Sequence, residues 1–234
     1  MPSPIVLVPG QLCTELLWQA QLPTVERHGE AYVTVQRDHD TIAGMARAVL
    51  DAAPERFTLV AHAMGGFVAF EILRRAPERV EKLVLMSTLA PADTPKQTQR
   101  REGYLRLVEN GQFDAVIAER IPILVHPRRR DDAEVTDILR RMARDTGPET
   151  FLRQQRAIMS RPDSRAMLES IACPTLLVFG LQDAITTMEH QREMLDAIPD
   201  AHLETIDDCG HMMPLERPAA VNALLVSWFR RSLR

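Results

Sequence analysis

The bend between residues 61 and 66 constrains this chain more than any other stretch. An apolar run over 57–60 leads into three small residues, Ala61, Ala63 and Gly65, and a helical pattern follows from Gly66 to Arg75. A strand that turns directly into a helix needs small residues at the bend, because the two backbones approach closely there. The bend lifts residue 63 out of both elements. The helix that begins behind it offers free N–H groups and a positive dipole end to an anion.

Five further stretches read as strands. They lie at 5–8, closed by Pro9-Gly10, and at 31–35, 83–86, 175–179 and 202–206. Helical patterns fall between them, over 13–22, 41–53 with Thr41 as cap, 187–198 and 218–231. Six strands alternating with helices predict an α/β fold, with a mostly parallel sheet covered on both faces. The rhythm breaks between 91 and 171, where the sequence carries only helical pieces, at 96–109, 113–119, 134–144, 149–159 and 165–171, divided by prolines 122, 127, 148 and 162. A helical insertion of this size predicts a cap over a site at the sheet edge. The expected division is a core of 1–90 plus 172–234 and a cap of 91–171. A chain of 234 residues suffices for one such domain.

Charge and composition exclude several functions. Lys and Arg number 28 against 32 Asp and Glu, a net charge of −4 that attracts neither nucleic acid nor an anionic membrane. The basic cluster Arg128-Arg129-Arg130 runs into Asp131-Asp132 and reads as a solvated loop. No stretch approaches the ~18 apolar residues of a membrane span. The opening Met1-Pro2-Ser3-Pro4 has no basic region and no apolar run, so no signal peptide is expected. Three cysteines, Cys13, Cys173 and Cys209, form no C-x-x-C pair, which argues against a disulfide framework or a zinc site and for a cytoplasmic location. With no metal constellation and no nucleotide-binding loop, no cofactor is expected.

In open parallel sheets, functional residues gather at the carboxyl ends of the strands. Position 63 follows the third strand, Asp183 the fifth and His211 the sixth, and the turn Pro9-Gly10-Gln11-Leu12 follows the first. Acyl transfer needs a nucleophile, a base that titrates near neutral pH, a carboxylate to orient that base, and two N–H donors for the developing oxyanion. His211 fits the base and Asp183 the orienting acid. The Met64 N–H fits one oxyanion donor and the Gln11 N–H the other, with Leu12 next in line.

With these motifs in register, the sequence resembles an α/β-hydrolase-fold serine hydrolase over nearly its whole length. The family pattern is a Gly-x-Ser-x-Gly elbow with the chain order nucleophile, acid, histidine. Here that order is 63, 183, 211. The segment from Asp208 to Pro218 resembles the family's Gly-His region and its proline-led terminal helix, and the one from Cys173 to Asp183 resembles the acid-bearing strand. Three residues depart from the pattern: Ala61 for the first glycine, Pro9 for a histidine before Gly10, and Ala63 for the nucleophile. The resemblance implies a hydrolase of a small carboxylic ester or lactone, similar to enol-lactonases and carboxylesterases, with its serine replaced by Ala63. The alternatives are a non-catalytic member of the fold that binds a small ligand, and a His211–Asp183 dyad acting without a covalent step. The subunit number is left open.

Other residues take plainer readings. His62 is expected to point away from the site as support. His28, His39, His126, His190 and His202 read as structural or exposed, and Asp207 and Asp208 as solvated. Asp93 is a secondary candidate for the acid. Cys13 and Cys209 read as bystander thiols. Leu12, Trp18, Tyr104, Phe113, Ile121 and Phe151 are the candidate pocket residues.

Overall fold

A computed structural model describes residues 3–231; Met1 and Pro2 of the opening tetrapeptide read above lie outside them. The order along the chain is β1 (Ile5–Val8), α1 (Leu22–Val25), β2 (Ala31–Val33), α2 (Ile42–Ala52), β3 (Phe57–His62), α3 (Met64–Arg75) and β4 (Val80–Met86). Four helices follow: α4 (Pro95–Glu109), α5 (Phe113–Leu124), α6 (Ala133–Thr146) and α7 (Pro148–Met159). The chain then closes with β5 (Thr175–Gly180), α8 (Met188–Ala197), β6 (Ala201–Ile206), α9 (Met213–Glu216) and α10 (Pro218–Arg230). The six strands form one all-parallel sheet in the order β2-β1-β3-β4-β5-β6. Among the described residues, no helix is long and apolar enough to cross a membrane.

The four inner strands, β1, β3, β4 and β5, are largely apolar on both faces because both faces are covered, and their period of two divides the core. Ile5 and Leu7, Val60, Val84 and Met86, and Leu176 and Val178 point into one cluster. Val6 and Val8, Leu59 and Ala61, Leu83 and Leu85, and Leu177 point into the other. Helices α2, α3 and α8 cover the second cluster through residues such as Met45, Val68, Ile72 and Met194. The first is covered by α10 and by the helices between β4 and β5, through Val221, Leu225, Tyr104, Ile117, Leu139 and Phe151. The inserted helices thus share a continuous hydrophobic core with the sheet.

Several boundaries differ from those read in the sequence. The helix expected over 13–22 is two short pieces, a 3-10 turn at Glu15–Trp18 capped by Thr14 and then α1, which Pro23 helps to start. β4 begins at Val80, because the aliphatic stem of Lys82 is buried and its ammonium donates to the Phe229 carbonyl of α10 at 3.0 Å. α5 runs through Pro122 to Leu124, beyond the expected stop at 119.

The helix after β3 starts flush against β1. A Cβ placed on Gly65 would sit 2.2 Å from the Val8 carbonyl oxygen, which is backbone and cannot swing aside. Gly65→Ala is therefore expected to destabilise the fold by about 2 kcal/mol through overpacking, more than the gain in helix propensity of up to ~1 kcal/mol returns. Urea unfolding monitored by tryptophan fluorescence measures the loss.

Candidate functional site

The bend after β3 is strained. Ala63 has φ 50 and ψ −112, a conformation that a residue with a Cβ rarely adopts. Three hydrogen bonds pin it. Its N–H donates to the Met86 carbonyl at 2.9 Å, and its carbonyl accepts from the Gly66 N–H and the Thr88 hydroxyl, each at 2.9 Å. Met64 opens α3, and its N–H has no acceptor among the described residues.

The turn after β1 faces this bend. A Cβ on Gly10 would lie 3.1 Å from the Ala63 Cβ and 3.0 Å from the His62 ring, so only glycine passes there without displacing a neighbour. Leu12 also has a positive φ, 58, and its N–H donates to the Gln154 side-chain oxygen of α7 at 3.0 Å. The same Gln154 donates to the Gln36 carbonyl at 2.7 Å. Of the two donors weighed in this turn, the Leu12 N–H is thus occupied, and the Gln11 N–H has no acceptor among the described residues.

The loop after β6 carries His211, whose side chain is buried together with that of Asp183. Their Nδ1 and Oδ2 lie 2.8 Å apart. The Asp183 carboxylate also accepts from the Ile185 N–H at 2.7 Å, the Thr186 N–H at 3.1 Å and the Thr186 hydroxyl at 2.6 Å. Burial alone would push Asp183 up; the charge and hydrogen bond of His211, helped by the Thr186 and Ile185 donors, outweigh it and hold the carboxyl down at about 2. Asp183 is therefore an anion that fixes Nδ1 of His211 as the protonated nitrogen and leaves Nε2 free.

The main chain of His211 is held from two sides. Its N–H and that of Met212 donate to the Leu124 carbonyl at the end of α5, at 3.0 and 3.2 Å. Its carbonyl accepts from His62 Nε2 at 2.9 Å. Glu216 stitches the same loop to the insertion: its buried carboxylate accepts from the His126 N–H at 2.7 Å, the Gly210 N–H at 3.2 Å and the Met212 N–H at 3.1 Å. Burial pushes Glu216 up against the pull of these three donors.

One cavity of about 110 Å³ joins these parts; Gly10, Gln11, Ala63, Met64 and His211 all line it, with Asp183 behind the imidazole. Three of the candidate pocket residues, Leu12, Tyr104 and Ile121, line it as well. The other three do not. Trp18 is fully buried with its ring edge-on to His62 at 6.5 Å, so it lies beneath the site. Phe113 and Phe151 pack on each other at 5.8 Å within the core of the inserted helices. Helical spacing marks a residue as inward-facing and cannot separate a cavity wall from the packing behind it.

The expectation for His62 also needs correcting. Its ring does not point away; it lines the cavity, with its centroid 5.2 Å from that of His211. Asp93 is engaged elsewhere, by Arg101 at 2.6 Å and Arg161 at 2.7 Å. Asp208 faces Arg217 and His126, and Asp207 accepts from Gln182 at 3.2 Å. Cys13 and Cys209 are buried, and burial pushes the Cys13 thiol up to about 12. Sequence reasoning missed Glu216 and Gln154. The lone carboxylate in the apolar run Met212-Met213-Pro214-Leu215-Glu216 was a signal; a glutamine in a helix was not.

A family model described as the alpha/beta hydrolase family matches residues 5–224. The BpoC protein of Mycobacterium tuberculosis is 30% identical over 207 residues, covering 86% of this chain and 77% of that one. The pimeloyl-[acyl-carrier protein] methyl ester esterase of Nitrosomonas europaea is 28% identical over 185 residues, 76% of this chain and 73% of its own. Among solved structures, a thermophilic esterase from Thermogutta terrifontis superposes with a TM-score of 0.87 at 28% identity, covering 97% of this chain and 89% of that one. The enol-lactonase of Burkholderia xenovorans has a TM-score of 0.90 at 20% identity, over 99% and 92% of the two chains, a likeness of fold.

The site has an acid-labile element in His62. Burial first, and the charge of His211 next, lower it from 6.5 to about 3, so it is neutral in the folded chain. Between those values only the unfolded chain takes up the extra proton. The contribution of His62 to stability is therefore complete above pH 6.5 and is lost as pH falls toward 3. His62→Gln keeps an amide donor for the His211 carbonyl and removes the titration. Urea unfolding between about pH 6 and pH 4 is expected to show a flatter stability slope in this variant than in the unaltered chain.

Proposed function

This chain belongs to the alpha/beta hydrolase family, and from that premise we propose that it is the nucleophile-to-alanine form of a serine hydrolase of small carboxylic esters or lactones. The observation that carries the reading is the strained bend. Ala63 keeps φ 50 although its methyl group has no chemistry to perform, and it faces the same cavity as His211 and two unoccupied N–H donors. With serine at 63, His211 Nε2 would accept the hydroxyl proton as the oxygen attacks the acyl carbon. Asp183 would steady the imidazolium through Nδ1, and the Met64 and Gln11 N–H groups would bind the oxyanion. The leaving group would take the proton from His211, and water would release the acyl group by the same path. With alanine no acyl-enzyme forms, while the cavity that receives the ester is unchanged.

The relatives support a small acyl substrate. One is named as a methyl ester esterase and one solved neighbour as an esterase. We read residues 91–171 as a cap that closes this cavity, since α4, α5 and α6 supply much of its wall. The three unpaired, buried cysteines favour a reducing, cytoplasmic setting.

Loss of a triad nucleophile costs roughly a millionfold in kcat in serine hydrolases. Ala63→Ser is accordingly expected to hydrolyse p-nitrophenyl acetate at least about a thousandfold faster than the unaltered chain, and A63S/H211A to fall back toward it. A folded A63S inert toward aryl esters and lactones rejects acyl transfer and leaves the ligand-binding reading.

A further inference from the structure

The cavity wall contributed by the inserted segment is rich in arginine. Arg100 and Arg101 of α4, Arg120 of α5 and Arg161 after α7 all line it, and among the described residues no aspartate or glutamate does. The carboxylate of Asp93 is shared by Arg101 and Arg161. Arg161 is further held by the Pro91 carbonyl at 2.9 Å and the Ile158 carbonyl at 2.8 Å, and Arg101 by the Gln155 side chain at 3.1 Å. These two cations are satisfied.

Arg120 is not. Among the described residues its guanidinium has no ion pair and no hydrogen-bond acceptor, and its Nε is shut off from solvent. Its guanidinium carbon lies 5.7 Å from the Tyr104 ring centroid and 5.8 Å from that of Phe151. The groups whose charges bear most on it are Arg101, Tyr104, Arg100 and Cys13, with no carboxylate among them. The nearby carboxylate of Glu119 accepts from the Tyr104 hydroxyl at 2.9 Å. Burial first, and Arg101 next, push Arg120 down to about 10, which leaves it a cation at neutral pH. Arg120 is half-buried as a whole, and its Nε, shut off from solvent without a partner, is costly to leave unpaired. Its planar fork of donors matches a carboxylate in two parallel hydrogen bonds.

We propose that Arg120 receives a free carboxylate on the substrate, at the end remote from the scissile acyl group, so that this cavity takes half-esters or lactones that carry a carboxylate in preference to neutral ones. The proposal rests on reading the cavity as an acyl-substrate site, and it names the class of substrate. It also gives the arginines of α4 a role: they raise the positive potential around Arg120 without occupying its donors.

The Ala63 chain suits a direct test, because it binds without turning over. Calorimetric titration with monomethyl glutarate and monomethyl adipate, each beside its neutral dimethyl ester, is expected to show the half-ester binding at least about tenfold more tightly. Arg120→Gln is expected to bring the two to parity, and R120K, which keeps the charge and loses the fork, to retain part of the difference. Equal affinity of half-ester and diester for the unaltered chain, saturation by neither, or a preference that survives in R120Q each overturns the proposal. The comparison on the unaltered chain stands even where a variant fails to fold. Turnover of neutral p-nitrophenyl acetate by A63S tests the acyl-transfer reading separately. Turnover without a carboxylate preference rejects only Arg120 as receptor, and a preference without turnover rejects only the hydrolase.

Discussion

The backbone at Ala63 is the constraint on which the site depends. A non-glycine residue in so sparsely populated a conformation costs on the order of 1–3 kcal/mol. Here it is over-determined. The N–H is held by the end of β4, whose pairing with β3 runs up to His62 and Met86, and the carbonyl is held by the first turn of α3 and by Thr88. None of these bonds involves the side chain at 63. The strain is imposed by a strand and a helix that are fixed elsewhere, and it persists with only a methyl group as the side chain. The same packing explains the glycine at 65, where the helix begins against the Val8 carbonyl.

The second half of the site is an ordered loop. His211 is fixed through its ring by Asp183, through its N–H by Leu124 and through its carbonyl by His62. Glu216 gathers three more N–H groups of the same region onto one buried carboxylate. Groups at such spacings in a low-dielectric interior reinforce one another, which accounts for an imidazole presented in one orientation from a segment without regular structure.

The sheet, the bend and the pair of Asp183 and His211 were legible because each rests on a local signal. Apolar runs mark buried strands, small residues mark a tight bend, and a strand end marks where a polar side chain is free to act. The insertion was legible as helix and illegible as surface. Phe113 and Phe151 share the helical spacing of Tyr104 and Ile121, yet only the latter two reach the cavity. Arg120 carries no signal in the sequence, where it is one charge in a largely apolar helix, and its isolation is visible only when the elements around it are assembled. His62 was read correctly as support and wrongly in direction. Its partner is 149 residues away, and no pattern along the chain encodes that bond.

The helices between β4 and β5 do more than line the cavity. Leu124 and His126 anchor the histidine loop, and Gln154 holds the turn that carries Gln11. Both halves of the working geometry are thus tied to the segment that also shapes the ligand's surroundings. Such a segment is not an interchangeable part. Transplanting one from a homologue would unfasten the imidazole and the first-strand turn together unless those anchors came with it, so changes to the cavity are more readily reached by exchanging single wall residues than by replacing the whole segment.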